Sequence, residues 1–194
     1  FDTSKRWRYE NVQKGRDREF FQTDFDIFGI ESVTADAEII ACGARIYQKL
    51  GVADSVEFLI NDRRLLERIL QAHDIENTRE VMRVIDDKEK LSRAEFLDAL
   101  TDRGIDRAEA ETIDEITDLR GPVADVVSEL RELAPEDEAT VAAIDRMERL
   151  ADQLAAYDVA GMCRLDLSIV RGLAYYTGLV FEAFDTEGEL RALF

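Results

Sequence analysis

The spacing of hydrophobic and polar positions along the chain changes period twice. Over residues 6–29 the period is two. Arg6, Arg8 and Glu10 point to one side of a first strand, Trp7 and Tyr9 to the other. On a second strand Phe21, Thr23, Phe25 and Ile27 form a mostly apolar face, and Gln22, Asp24 and Asp26 share the opposite one. The connection Gln13-Lys14-Gly15-Arg16-Asp17-Arg18 is basic and hinged on a glycine, so the stretch predicts a hairpin. A solvated face explains this alternation, since antiparallel sheets commonly have one. An open face of Arg, Glu, Gln and Asp beside loop cations equally suits a ligand carrying both phosphate and ammonium charge.

The period then becomes helical. Thr34 is placed to cap a helix running to Leu50, with Ile39, Gly43, Ile46 and Leu50 on one face and Gly51 as its stop. Ser55 to Asn61 reads as a short, largely buried strand. Asp62 caps a helix through about Ala72 that turns Leu65, Leu66, Ile69 and Leu70 inward. From 78 to 157 the chain is densely charged, helical in period and free of convincing strands. Ser92 begins a helix there, with Phe96 and Leu100 apolar and Gly104 as stop. Arg120-Gly121-Pro122 and Ala134-Pro135-Glu136-Asp137 are breaks, and they hold both prolines.

From Asp166 the sheet texture returns. Tyr175, Thr177, Leu179, Phe181 and Ala183 alternate with Tyr176, Gly178, Val180, Glu182 and Phe184, entered through Arg171-Gly172. The expected organisation is α+β: an antiparallel sheet flanked by helices, built from residues 1–77 and 158–194, with an all-helical insertion at 78–157.

Charge and composition narrow the chemistry. The net charge is −18, from 43 acidic and 25 basic residues. A nucleic-acid binder usually has the opposite sign. Lysine occurs only at Lys5, Lys14, Lys49, Lys88 and Lys90, so arginine supplies most cations. An acid-rich, lysine-poor surface suits a salt-filled cytoplasm, where screening is strong, and predicts a halophilic source. Cys42 and Cys163 lack metal spacing and read as buried free thiols in a reducing compartment. His73 is the sole histidine and has no partner ligand, so no structural metal is expected. No apolar run approaches a membrane span and the first residues lack a secretory pattern, which together predict a cytoplasmic protein.

Two stretches also carry a family resemblance. Trp7-Arg8-Tyr9-Glu10, Gln13-Lys14-Gly15-Arg16, Arg18-Glu19-Phe20, Gln22, Asp24, Asp26 and Gly29, at this spacing, resemble the second signature motif of class II aminoacyl-tRNA synthetases in its histidyl form. Val170-Arg171-Gly172-Leu173-Ala174-Tyr175-Tyr176-Thr177-Gly178-Leu179-Val180-Phe181-Glu182 resembles the histidine-recognition motif of histidyl-tRNA synthetases. The segment between resembles the helical insertion that family places there.

The resemblance implies a class II fold and ATP-dependent activation of histidine, followed by transfer to tRNA(His). Carried over by position, it implies that Arg8 binds the α-phosphate, that Glu10 accepts from the adenine amino group and that Arg16 reaches the outer phosphates. Gln22 and Asp26 would hold the α-amino and carboxylate end of histidine. Arg171 would lie across the reacting groups as a fixed cation, and Tyr175 and Tyr176 would line the imidazole pocket. ATP would bring Mg²⁺, held largely by phosphates and water. The family works as a homodimer. Ala174 stands where an acidic residue is more usual, and Asp26 where many relatives have Glu. The family's first and third motifs and its anticodon-binding domain are not found, so the chain reads as an internal piece of a catalytic domain, poorly active by itself. The non-catalytic regulatory subunit of ATP phosphoribosyltransferase resembles the same fold but lacks the full arginine–tyrosine set, and is the alternative.

Overall fold

A computed structural model describes the chain except residues 10, 13–16, 171–176, 188–192 and 194. Strands β1 (Asp2–Trp7) and β2 (Glu19–Asp24) pair antiparallel as a two-stranded sheet of their own. A second sheet has the order β4-β5-β3-β6, formed by β3 (Val56–Asp62), β4 (Arg120–Pro122), β5 (Cys163–Asp166) and β6 (Leu179–Asp185). The β3–β6 and β4–β5 pairs are antiparallel and β3–β5 is parallel. The helices are α1 (Val33–Leu50), α2 (Arg63–Ala72), α3 (Thr78–Asp86), α4 (Arg93–Thr101), α5 (Arg107–Thr117), α6 (Val123–Leu133) and α7 (Glu138–Ala156). The α+β class follows from this arrangement, with helices α1, α6 and α7 laid on one face of the larger sheet.

Strand alternation assigns the faces. Phe58 and Ile60 of β3, Cys163 and Leu165 of β5, and Phe181 and Ala183 of β6 meet the helices. Phe58 lies 6.3 Å from Phe181 in a stacked pair and meets Tyr47 of α1 edge-on at 6.0 Å. A second cluster, Leu66, Leu70, Val81, Ile85, Phe96, Leu97, Leu100 and Ile113 among its members, joins α2 to α3, α4 and α5. The segment 78–157 is therefore divided. Its first three helices make the second cluster, and α6 and α7 complete the first.

Several local expectations hold in detail. Asp62 caps α2 by accepting from the Arg64 amide at 2.9 Å, and its four leucine and isoleucine positions are buried. Ser92 closes a reciprocal capping box with Glu95. Gly51 and Gly104 end their helices at positive φ.

Others are corrected. The cap of α1 is Ser32, which accepts from the Ala35 amide at 3.2 Å, and Thr34 lies inside the helix. The buried stripe of α1 is Ala37, Ile40, Ala41 and Ala44, whereas Ile46 and Leu50 are exposed. Small side chains let α7 approach α1 closely, and that selects the alanine face over the bulkier one. The segment expected to hold no strand contains β4. Pro122 has no N–H to give, but β4 is an edge strand, where that costs nothing. Cys163 is buried, and burial pushes its thiol up to about 12; Cys42 is only half-buried.

One ion cluster is built into the second unit. Asp114 of α5, buried, accepts from Lys88 at 2.8 Å and from Arg93 Nε at 2.7 Å, and Lys88 also reaches Asp118 at 2.6 Å and the Thr117 hydroxyl at 2.8 Å. Burial raises the Asp114 carboxyl, but the bonds from Lys88 and Arg93 outweigh it and hold the group below its ordinary value. A carboxyl lowered on folding stabilises the fold above its unfolded pKa, and that stability is lost as pH falls through the folded value. Asp114→Ala should cost about 2 kcal/mol at neutral pH, since it removes the buried partner of Lys88 and Arg93 and leaves Lys88 with the exposed Asp118 alone. Urea unfolding at pH 7 and between pH 5 and 3 checks this, because the variant should lose less stability on acidification than the parent chain.

Candidate functional site

The hairpin register fixes which side chains share a face. Arg6 lies opposite Phe20, Ser4 opposite Gln22 and Asp2 opposite Asp24. The ladder continues one step through the Arg8 amide, which donates to the Arg18 carbonyl at 3.0 Å. Arg6, Arg8, Arg18, Gln22 and Asp24 therefore stand on one face, as the alternation predicts. Thr3, Lys5, Trp7, Glu19, Phe21 and Thr23 stand on the other.

The charged face is organised by its own bonds. Arg6 donates to Asp24 at 2.8 Å and to Asp2 at 3.0 Å, and the Gln22 amide donates to Asp24 at 2.5 Å. Gln22 and then Arg6 hold the Asp24 carboxyl below its ordinary value. The Arg8 guanidinium lies 4.3 Å from the centre of the Phe20 ring, a cation–π contact within this face. Asp26 follows β2, outside the strand, and is exposed. On the far side Trp7 and Phe21 are 68% and 71% exposed, and the hairpin pairs with no strand of the larger sheet among the described residues. Glu10, Arg16, Arg171, Tyr175 and Tyr176 lie outside the described residues.

The stretch resembling the histidine-recognition motif is described at its two ends. The chain leaves β5 through 167–170 and returns at Gly178 into β6. Both ends meet the junction of β3 and α2. Asn61 Nδ2 donates to the Ile169 carbonyl at 2.8 Å and the Leu167 carbonyl at 3.4 Å. Arg63 donates from its guanidinium to the Val170 carbonyl at 2.9 Å and from its amide to the Gly178 carbonyl at 3.0 Å. Gly178 has φ +83°, and a Cβ there would meet the Arg64 guanidinium at 2.6 Å.

Sequence reasoning missed a polar cavity of about 370 Å³ on the sheet face opposite α1 and α7. Glu57, Arg120, Asp166 and Glu182 are among the residues lining it. Glu57 binds Arg120 at 2.9 Å and Arg164 at 3.2 Å, and Asp166 takes Arg120 at 3.5 Å. The only sequence signal was the alternation of these charges with buried apolar residues in β3, β5 and β6. Among the described residues no group of three or more metal-ligating side chains forms, and no helix is long and apolar enough to cross a membrane.

The larger sheet has the fold of class II synthetase catalytic domains. A histidyl-tRNA synthetase from Nostoc sp. PCC 7120 superposes with a TM-score of 0.71 at 27% identity, over 79% of this chain and 37% of that one. A Bacillus halodurans protein described as an ATP phosphoribosyltransferase regulatory subunit/histidyl-tRNA synthetase gives 0.77 over 97% of this chain, at 21% identity, which shows the fold alone. The family profile described as Histidyl-tRNA synthetase matches residues 3–193. The Histidine--tRNA ligase of Natronomonas pharaonis is 41% identical over 192 residues, covering 98% of this chain and 43% of the relative, and that of Picrophilus torridus 38% over 195 residues, covering 100% and 44%. The chain belongs to the histidyl-tRNA synthetase family, and it spans less than half the length of these curated relatives.

Replacing Gly178 by alanine should destabilise the chain by about 1–2 kcal/mol, because a left-handed backbone is costly for any residue with a Cβ. Arg64 has a flexible end and can move aside, so the backbone dominates. Chemical denaturation measures the loss. A companion Gly161→Ala variant, where a Cβ meets nothing within 4 Å, should show a smaller loss.

Proposed function

We propose that this chain supplies the histidine- and ATP-binding part of a histidine–tRNA ligase. The observation that carries the reading is the register that sets Arg8 and Gln22 on one face of the hairpin, with Arg8 propped by Phe20. These are the positions that the family motif assigns to the α-phosphate and to histidine. In this reading the histidine carboxylate attacks the α-phosphorus of ATP in line, pyrophosphate leaves, and the acyl group passes to the terminal ribose of tRNA(His).

No protein nucleophile is required, so the chain contributes position and charge. Arg8 grips α-phosphate oxygens through a planar fork, and Arg16 holds the outer phosphates. Glu10 receives the adenine amino group. Gln22 and Asp26 hold the amino acid end, Arg171 faces the carboxylate and phosphate, and Tyr175 and Tyr176 receive the imidazole. Phosphates and water hold most of the Mg²⁺ coordination. The fit of a polyanion to the hairpin is supported by Arg8 and Arg18, which share one face beyond the Arg6–Asp2–Asp24 cluster, on a chain with net charge −18. A homodimer, a cytoplasmic location and units at 1–77, 78–157 and 158–194 belong to the same proposal. The division of 78–157 between two clusters favours α3–α5, packed on α2, over the whole of 78–157 as the inserted unit.

The regulatory-subunit alternative shares the fold, but retention of Arg8, Arg16, Gln22, Arg171, Tyr175 and Tyr176 favours the ligase. The test uses an enzyme of full family length carrying residues 1–194 of this chain. Histidine-dependent ATP–pyrophosphate exchange should be present and should fall about 10²-fold or more in Arg8→Ala and in Arg171→Ala, since each removes a cation from the place where charge develops. Exchange absent from the parent enzyme would refute the reading, and near-normal exchange in either variant would refute that arginine's role.

A further inference from the structure

We propose that Asn61 and Arg63 are positioning residues for the histidine-recognition segment. The inference rests on the functional reading above, and goes beyond it in naming residues whose bonds go to the backbone flanking 171–176. Asn61 is fully buried in a strand whose neighbours Phe58, Leu59 and Ile60 are buried apolar residues. A leucine would fill the same space without the cost of burying an amide. The amide instead donates to the Ile169 and Leu167 carbonyls, while its Oδ1 has no hydrogen-bond partner among the described residues. Burying the amide carries a desolvation cost that a leucine would not, and what its Nδ2 holds is the chain leading into residue 171.

Arg63 closes the arrangement. Its guanidinium takes the Val170 carbonyl and its amide takes the Gly178 carbonyl, so one residue grips the chain on both sides of 171–176. The amide bond adds a rung to the β3–β6 ladder, beyond Asp62 opposite Leu179. Arg63 is also the first residue of α2, whose inner face is locked by Leu65, Leu66, Ile69 and Leu70. The grip is therefore mounted on a rigid element. Bonds from one rigid element to Ile169, Val170 and Gly178 fix where the chain enters and leaves 171–176.

A purely structural role for these bonds predicts a different outcome from a positioning role, and two measurements separate them. The first is made on this chain without substrate. In Asn61→Leu and Arg63→Met, amides of 167–170 should exchange with solvent about tenfold faster, while those of α1, α7 and 177–179, where both variants keep the bond from the residue-63 amide to the Gly178 carbonyl, keep their protection. Unchanged exchange at 167–170 overturns the proposal, as does equal loosening of α1 and α7.

The second uses the full-length enzyme. Both variants should lower kcat of histidine-dependent pyrophosphate exchange by about 10- to 100-fold, the scale of a small misplacement of a reacting group, with the KM for ATP nearly unchanged. Arg63→Lys should recover much of the loss, because an ammonium can still donate to the Val170 carbonyl. Arg103→Ala, which removes an arginine–carbonyl bond to Ala99 elsewhere, should change nothing. A normal kcat in Asn61→Leu and Arg63→Met overturns the proposal, and so does a fall in kcat matched by an equal rise in the ATP KM. An inactive parent enzyme counts against the ligase reading instead, and the exchange measurement on the chain then decides this one.

Discussion

The charge that the larger body is assembled around is Asp62. It is almost wholly buried at the end of the central strand. One oxygen caps α2 through the Arg64 amide, and the other accepts from Arg146 of α7 at 3.3 Å. Arg146 in turn pairs with Asp36 of α1. Burial, aided by the neighbouring Asp62 charge, pushes the Asp36 carboxyl up, and Arg146 opposes it. One arginine thus serves two acids, and strand, capped helix and two packed helices share a single polar knot. A buried charge is tolerable only when it is paired and hydrogen-bonded, so the knot fixes how these elements meet. The hydrophobic contacts around it are less directional than these bonds.

That constraint sets the geometry of its neighbours in sequence. Asn61 and Arg63 flank Asp62; Asn61 reaches the chain before 171–176, and Arg63 reaches it on both sides. The residue that anchors the body is thereby coupled through the backbone to those that hold the site. The hairpin that carries Arg8 and Gln22 is different in kind. It is ordered by its own cross-strand pairs, with Trp7 donating to Glu19 at 2.9 Å and Lys5 reaching Glu19 at 2.6 Å, and it leaves Trp7 and Phe21 exposed on that mixed face.

The sequence was most readable where local chemistry decides the structure. Asp62 and Ser92 are capping residues whose side chains have one good use, and Gly51 and Gly104 end helices because few other residues tolerate the backbone there. The alternation at 6–24 gave the faces of the hairpin correctly, because the side-chain period of a strand is two. It failed where packing between distant elements decides. Helix α1 turns its alanines inward because α7 lies against them, which no count of apolar residues in α1 contains. Strand β4 exists only because β5 offers it an edge. Arg6–Asp24 and Arg8–Phe20 follow from cross-strand register. The roles of Asn61 and Arg63 were silent in sequence, since their partners are backbone carbonyls more than a hundred residues away. The acid-rich, lysine-poor composition pointed to salt adaptation, and halophilic archaeal relatives agree with it.

A crystal structure of the full-length enzyme with histidine and a non-hydrolysable ATP analogue tests the central claim most directly. The account predicts the α-phosphate within hydrogen-bond distance of Arg8, the histidine amino group beside Gln22, and the Asn61–Ile169 and Arg63–Val170 bonds intact beneath the bound amino acid. Ligands bound away from the Arg8–Gln22 face, or those bonds replaced by others in the occupied site, would contradict it.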